Sequence, residues 1–539
     1  MKALVIDSIT LGEGRRDFTR DFIGAGPRMV AATIRAKNGE NSQVTIARGE
    51  DFIRTRGRIG KDFEACFVSA MTMDKPAVNS IARTWKMVNP NQPLIVGGPV
   101  ALEPATLLRN PAIDAVVPGE AERILYDAFD IADAQELITN FHDGFITRET
   151  LHGQEIPCFS PANWPATSFI EERIDPAIDL LQNYENHWAA RVYVECLRGC
   201  SNQARARIDP GSGKACEECG FCDAGEIYDT SFSCPARIPP GCGFCSTAAI
   251  SGQVRSFSEN YIVDQVSRCI DLGCHRIVLG GSDFLEFQRE SLMQPGCTTP
   301  AMPPPPNHDA LDSIISRFLE FKQIQQGDVQ LFVENIKASL CDEESIRIIA
   351  RIPGVSVSIG VETGSDDHLV QIGKRNINIA TIKQSVSLLQ KYKVRYHAYF
   401  IHSLPGQTPA TVDSSIELMR WLEQNDMDKV TIYRFKPLPG TAFERSFVPK
   451  SKIDEAAPMI REAERINEAR KEGFINTTCK VLIAEVDFRD KTSAIAYMLG
   501  GGPKVKLPGC RGLVNDKKVH LARITTVISD KMTEGVLLE

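Results

Sequence analysis

The stretch CLRGCSNQARARIDPGSGKACEECGFCDAGEIYDTSFSCPARIPPGCGFCST (196–247) carries eight of the chain's sixteen cysteines. Thiols two and three residues apart can converge on one metal centre, and in a chain without an export signal such crowding argues for metal rather than disulfides. Within the stretch, Cys216, Cys219, Cys222 and Cys234 follow the pattern C-x2-C-x2-C-x11-C. Four thiolates suit either a tetrahedral structural site or an iron–sulfur cluster. Buried thiols without a ligand remain the reading for the scattered Cys66, Cys158 and Cys479. The stretch opens from RVYVECLRGC (191–200), which has the β-branched and aromatic pattern of a strand entering a Gly-Cys turn. Behind it, VRSFSENYIVDQV (254–266) reads as a loop running into an amphipathic helix.

Working outward, the flanks alternate between strand and helix. Toward the C-terminus, strands are expected at 191–198, 276–281, 329–336, 355–364, 395–406 and 429–440, each followed by a helical pattern. Six βα units predict a partial parallel barrel, with its site at the carboxyl ends of the strands. Toward the N-terminus, KALVIDSI (2–9), EACFVSAMT (64–72), PLIVGGPVA (93–101) and DAVVPGE (114–120) are apolar runs with helices between them, the pattern of a Rossmann-like domain over 1–135. Ligands of such sheets lie beyond the carboxyl ends of the strands. That rule gathers Ser69, Thr72, Gly97, Gly98, Pro99, Gly119 and Glu120 around one crevice. Residues 136–190 read as a linker, and 476–539 as short β runs with Gly, Pro and Asp turns, a small β-barrel. The expected class is therefore α/β, with the partial (β/α)6 barrel spanning 191–475 and interrupted by the cysteine-rich insert 201–241.

The chain is 539 residues long, 43% apolar, with a formal charge of −8. That length supports several cores. The charge supplies no general field for a phosphate backbone, so nucleic acid is disfavoured as a partner. No apolar run is long enough to cross a bilayer, and the start MKALVIDSITLGEGRR lacks the features of an export signal, so a cytoplasmic location and no membrane partner are expected.

The order strand, R-G-C, C-G-F-C-S, R-S-x-E-x-x-x-D resembles the radical S-adenosylmethionine (radical SAM) enzymes, whose three-cysteine loop leaves one iron of a [4Fe-4S] cluster open to the cofactor. It departs from them in spacing: residues 201–241 separate Cys200 from Cys242, where the family has three residues. The resemblance implies Cys200, Cys242 and Cys245 as catalytic cluster ligands and leaves Cys216, Cys219, Cys222 and Cys234 for a second metal, zinc or iron–sulfur. Cys196 is then left over as a buried thiol. Cys196 or Cys234 as the first ligand, and ECGFCDAG (218–225) as the paired cysteines, stay open as alternatives. Further motifs follow the family's order. LGGSDF (279–284) stands where a G-G-E-like motif receives the methionine ammonium, here with Gly280, Gly281 and Ser282, and ENIKAS (334–339) brings Asn335 toward the barrel. GVETGSDDHL (360–369) with GKRN (373–376) implies Glu362, Ser365 and Lys374 as cofactor contacts. HSLPGQT (402–408) and KPLPGTAF (436–443) match the turns after the fifth and sixth strands. I-V-G-G-P (95–99) and V-V-x-G-E-A-E (116–122) are similar to the cobalamin-binding domain that precedes many radical SAM cores. No histidine follows Asp7 to bind cobalt from below.

This resemblance implies a cobalamin-dependent radical SAM C-methyltransferase, and its arrangement looks like the archaeal enzymes that methylate residues of methyl-coenzyme M reductase. A post-translational modification in methanogenesis follows as the expectation. The substrate is then a glutamine of that enzyme's alpha subunit, and a reductase or ferredoxin supplies electrons. Two alternatives stand beside it, a radical SAM methylthiotransferase that modifies transfer RNA and a cobalamin-dependent methylase of a small molecule. The first is opposed by the N-terminal 135 residues, which hold Cys66 alone where those enzymes carry three cysteines for an auxiliary cluster. Cys297, in the proline-rich stretch 294–308, is a further candidate iron ligand.

Overall fold

The computed structural model describes residues 1–539 except 15–19, 40, 41, 132, 141, 152–163, 210–213, 221, 223–233, 293–303, 530 and 539. Cys158 and Cys297 lie outside the described residues. The chain divides into two compact units, Met1–His187 with Ile250–Gly252, and Trp188–Ala249 with Gln253–Glu539.

The first unit is built on five parallel strands, β1 (Lys2–Asp7), β2 (Gln43–Arg48), β3 (Ala65–Ser69), β4 (Leu94–Gly97) and β5 (Ala115–Val117), in the order 2-1-3-4-5. Helix α1 (Ala25–Asn38) connects β1 to β2, and α2 (Lys75–Val88) connects β3 to β4. Apart from Lys2, β1 is wholly buried, as a strand covered on both faces must be. On α2, Ala77, Val78, Ile81, Ala82 and Trp85 form one buried stripe. Truncating the fully buried Trp85 to Ala would cost about 3–5 kcal/mol. The strand order reverses between β1 and β3, so their carboxyl ends frame the crevice of a doubly wound sheet.

The expected linker is part of this unit as far as His187. Ile146 pairs with Val116 at the edge of β5, and Arg148 donates to the carbonyls of Leu108, Asn110 and Ile113. Farther on, Asn183 accepts from Ile46 N at 2.9 Å and Asn186 from Arg48 at 2.8 Å. Residues that anchor two sheet edges this way pack on the unit instead of spanning a gap.

The second unit holds six parallel strands, β6 (Arg191–Glu195), β7 (Arg276–Gly280), β8 (Gln330–Val333), β9 (Ser356–Glu362), β10 (Arg395–His402) and β11 (Lys429–Arg434). β7 pairs with β6 and β8, and β10 with β9 and β11. A parallel bridge between Ile336 and Ile359 joins the two sets. The principal helices between strands and after β11 are α3 (Glu259–Asp271), α4 (His308–Phe318), α5 (Glu343–Ile349), α6 (Ile379–Lys391), α7 (Pro409–Gln424) and α8 (Ala457–Glu472). Their starts were written into the sequence: Ser258, Asn307, Asp342, Asn378 and Thr408 each accept a backbone N–H of the first turn. The chain closes with a five-stranded barrel, β12 (Thr478–Val486), β13 (Ala494–Met498), β14 (Lys504–Leu507), β15 (Val519–Ser529) and β16 (Met532–Leu537), in the closed order 12-13-14-16-15. Its interior is small and apolar, lined by Val481, Ile483, Ala496, Val505, Ala522 and Ile524. Among the described residues no helix is long and apolar enough to cross a membrane.

Candidate active site

The three cysteines separated in sequence come together. Cys200 and Cys242 each lie within electrostatic reach of Cys245 and of one another. Glycine lets the Cys242–Cys245 turn fold tightly against its supports. A Cβ on Gly243 would stand 2.7 Å from the Phe443 ring, while Gly243 N donates to Ile372 O at 2.8 Å and its carbonyl accepts from Phe443 N at 3.0 Å. The KPLPGTAF motif thus supports the thiol loop from below. Asn202, buried two residues after Cys200, donates through Nδ2 to Cys242 Sγ and to Gly373 O, both at 3.0 Å, and accepts from Ala204 N at 3.3 Å. Burial pushes the Cys242 thiol up to about 12, against the pull of the Lys374 ammonium. Burial also raises Cys200, with Lys337 opposing. Two thiols held this way shed their protons to a metal rather than to water.

Among the described residues, no three His, Cys, Asp or Glu side chains close on a point that one metal ion could occupy. Cys196 is fully buried and donates to Val194 O at 3.7 Å, and burial followed by Glu195 and Glu334 pushes its thiol up. Cys234 is elsewhere, within reach of Arg205 together with Cys219 and Cys222.

The strand ends around the thiols are polar. Lys374 donates to Glu362 Oε1 at 2.7 Å and to Gly360 O at 2.5 Å. A Cβ at Gly360 would fall 2.6 Å from the Glu362 carboxylate and displace it, and Glu362 itself sits at φ +67, a strained value for a side-chain-bearing residue. Ser365 caps the short helix Asp366–Gln371 by accepting from His368 N at 3.4 Å, so its place in the motif is at least in part structural. After β7, Gly280 O accepts from Cys196 N, Gly281 packs so closely on Leu197 that a Cβ would approach to 2.9 Å, and Ser282 donates to Gly199 O. Asn335 O accepts from Phe284 N at 2.9 Å. Glu334 Oε2 takes Gly281 N at 3.3 Å, and burial raises its carboxyl to about 7 despite that bond and Arg191.

Sequence reasoning missed the buried group that stands behind Cys200. Glu286 bonds Ser201 and Lys337, pairs with Arg289 at 3.2 Å, and Lys337 also reaches Ser201 at 2.6 Å. Burial works against the charge on Glu286, but Lys337 and Arg289 overcome it and hold the carboxyl below its usual range. Ser201 and Asn202, polar residues directly after R-G-C, were the available signal.

In the first unit the predicted crevice residues do gather at the carboxyl ends of β1, β3, β4 and β5. Ser69 O takes both the amide and the hydroxyl of Ser8, at 3.1 and 2.9 Å. Gly98, at φ +82, lies so close to Ala70 that a Cβ would be 2.7 Å from its carbonyl oxygen, and Thr72 Oγ1 donates to Pro99 O at 3.4 Å. Gly119, at φ +79, leaves open space where a Cβ would stand, and Gly97 leaves nearly as much. Glu120 is buried. Asp74, unremarked in the sequence, fastens the loops on both sides of the switch point by accepting from Thr10, Gly12 and Met71 N at 2.8–3.0 Å. Beside it Met71 and Met73 are 38% and 50% exposed, an apolar patch on the rim of the crevice. Among the described residues, no histidine stands at these strand ends.

The family model of the Radical SAM superfamily matches residues 218–419. The match begins at Glu218, inside the insert and beyond Cys200. A protein of Methanopyrus kandleri described as uncharacterized is 35% identical over 99% of this chain and 95% of its own, and one of Methanocaldococcus jannaschii is 31% identical over 100% and 99%. Among solved structures, the radical S-adenosylmethionine methyltransferase TsrM of Kitasatospora setae is similar in fold, with a TM-score of 0.56 at 13% identity over 82% of this chain and 75% of that one. A second TsrM structure contains cobalamin and a [4Fe-4S] cluster. The chain therefore belongs to one family with the two archaeal proteins, and it is an enzyme whose residues 218–419 match the Radical SAM superfamily.

Proposed function

We propose that the chain is a cobalamin-dependent radical SAM C-methyltransferase that methylates an unactivated carbon of a protein side chain, a glutamine of the alpha subunit of methyl-coenzyme M reductase. The observation that carries the reading is the union of Cys200, Cys242 and Cys245 at the carboxyl ends of a parallel partial barrel. The reductase glutamine is supported by the resemblance of the motif order to the archaeal enzymes that act on it, and by the archaeal origin of the two relatives.

When bound, a reduced cluster with S-adenosylmethionine supplies a 5′-deoxyadenosyl radical, and methylcobalamin supplies the methyl group. Cys200, Cys242 and Cys245 would hold the cluster. Asn202 steadies the Cys242 sulfur by its hydrogen bond. The Glu362–Lys374 pair, tied to Gly360 O, offers a fixed carboxylate and ammonium for the ribose and the carboxylate of the cofactor. Gly280, Gly281, Ser282 and Asn335 present backbone groups to its ammonium. Glu334, neutral or charged near pH 7, can hold or give a proton at the strand ends. In the first unit, Gly97 and Gly119 leave the backbone bare for a corrin, with Ser69, Thr72, Gly98, Pro99 and Glu120 about it.

The test is anaerobic reconstitution with iron, sulfide and hydroxocobalamin, followed by reductant, methyl-labelled S-adenosylmethionine and a glutamine-containing peptide of the reductase. Mass spectrometry is expected to show one labelled methyl on the peptide alongside 5′-deoxyadenosine. 5′-Deoxyadenosine without methylated peptide would remove this substrate. Methylation without bound cobalamin would remove the proposed methyl donor.

A further inference from the structure

We propose that Cys216, Cys219, Cys222 and Cys234 bind a second [4Fe-4S] cluster with all four irons ligated by protein, and not a zinc ion. The four thiols occupy one neighbourhood. Arg205 has Cys219, Cys222 and Cys234 within electrostatic reach, and Cys222 in turn has Cys219 and Arg375. Arg375 donates to Cys216 Sγ at 3.6 Å and Glu218 N to the same sulfur at 3.4 Å. Cys222 is 6% exposed, and Cys216 N is fixed to Arg207 O at 2.7 Å.

Three features favour the cluster. The first is the ligand pattern. Structural zinc sites pair one two-cysteine knuckle with a second pair of ligands. Here three cysteines stand at two-residue gaps, and the fourth is remote and followed by Pro235. Three close cysteines and a Cys-Pro are the elements of the ferredoxin run C-x2-C-x2-C-x3-C-P, although in two-cluster ferredoxins the fourth serves the neighbouring cluster.

The second is geometry. Cys216 accepts from Arg375 and from Glu218 N, while Cys219, Cys222 and Cys234 lie about Arg205. A cube with an iron at each thiolate takes ligands spread in this way.

The third is charge. Four thiolates around a cluster carry a net negative charge, and a desolvated guanidinium is the side chain suited to balance it. Two guanidiniums, Arg205 and Arg375, face these sulfurs, with Arg205 buried and anchored by Nε to Ile238 O at 3.1 Å. Hydrogen bonds to ligand sulfur, as Arg375 and Glu218 N make, are among the groups that set cluster potentials. With no iron left open, this site would take no S-adenosylmethionine and would serve as a one-electron store.

The experiment is metal and sulfide analysis of the full chain, purified and reconstituted anaerobically, with electron paramagnetic resonance of the dithionite-reduced protein. The expected content is about eight irons and eight sulfides per chain, from two four-iron clusters. A Cys219→Ala, Cys222→Ala variant should lose half of each and keep a signal that changes when S-adenosylmethionine is added. A Cys242→Ala, Cys245→Ala variant should lose the other half and keep a signal indifferent to it. About one zinc per chain with the iron of a single cluster would overturn the proposal, as would full iron in the Cys219, Cys222 variant. Because removal of two ligands can unfold the insert, Cys219→Ser is measured as well. An oxygen ligand at that corner should retain the cluster with altered Mössbauer parameters, and spectra identical to the unsubstituted protein would overturn the assignment. Iron counts do not depend on methyl transfer, so this test fails or succeeds apart from the proposed function.

Discussion

Replacing Asn202 by leucine, which is similar in volume but has no polar atoms, tests how the thiol loop is held. The side chain makes three buried hydrogen bonds, to Cys242 Sγ, to Gly373 O and from Ala204 N. Losing them at about 1 kcal/mol each predicts a destabilisation of about 3 kcal/mol. For a unit of this size that lowers the melting temperature by roughly 4 °C. The bond to Cys242 also favours the more negative, reduced state of a cluster on that sulfur. If it is worth about 1 kcal/mol more in that state, the midpoint potential falls by roughly 40 mV for one electron. Anaerobic calorimetry of the metal-free chain reads the first quantity. A potentiometric resonance titration of the cluster that responds to S-adenosylmethionine reads the second. Unchanged melting and unchanged potential would refute the role given to Asn202. A lowered melt with an unmoved potential would confine it to packing.

Gly98→Ala places a Cβ 2.7 Å from Ala70 O at φ +82, about 1–2 kcal/mol of backbone strain before the clash is relieved. Because the loop must move, cobalamin retained through gel filtration should fall at least about tenfold, by the factor ten per 1.4 kcal/mol, while the iron content stays unchanged. Glu334 gives a pH test. Its folded carboxyl titrates at about 7 against an ordinary 4.5, so the native chain holds a proton the unfolded one has lost. Stability should therefore fall as pH rises from about 4.5 to 7, by at most about 3 kcal/mol, and Glu334→Gln should remove that slope in melts between pH 5 and 8.

The barrel was legible because each of its strands is an apolar run ending in an unusual polar turn; every expected run contains an observed strand. β2 and α1 were not anticipated. QVTIAR (43–48) is an edge strand with alternating burial, and such strands carry too few apolar residues to stand out from a loop. The helix begins in G-A-G-P, which reads as a turn. At the site, the motif order and its resemblance put Cys200, Cys242 and Cys245 forward together, and the strand-end motifs did the same for Glu362 and Lys374; the fold brings each set into one neighbourhood. Glu286, Lys337, Asp74 and Arg205 were illegible because their partners lie tens of residues away and only the folded chain brings them into contact. Ser365 shows the converse, since its motif position is also a helix cap.

The 41 residues between Cys200 and Cys242 bear on the order of maturation. In a three-residue loop the ligands are neighbours from the moment they are synthesised, and iron can meet them on an unfolded chain. Closing a loop more than tenfold longer costs about 2 kcal/mol of additional chain entropy. Here the gap is shut by the bridge between Arg205 and Pro240 and by Gly241 N donating to Ala204 O at 2.7 Å. Cys200 therefore meets Cys242 and Cys245 only after the insert has closed, so with the proposed ligand set, iron delivered to a nascent or truncated chain would find it incomplete.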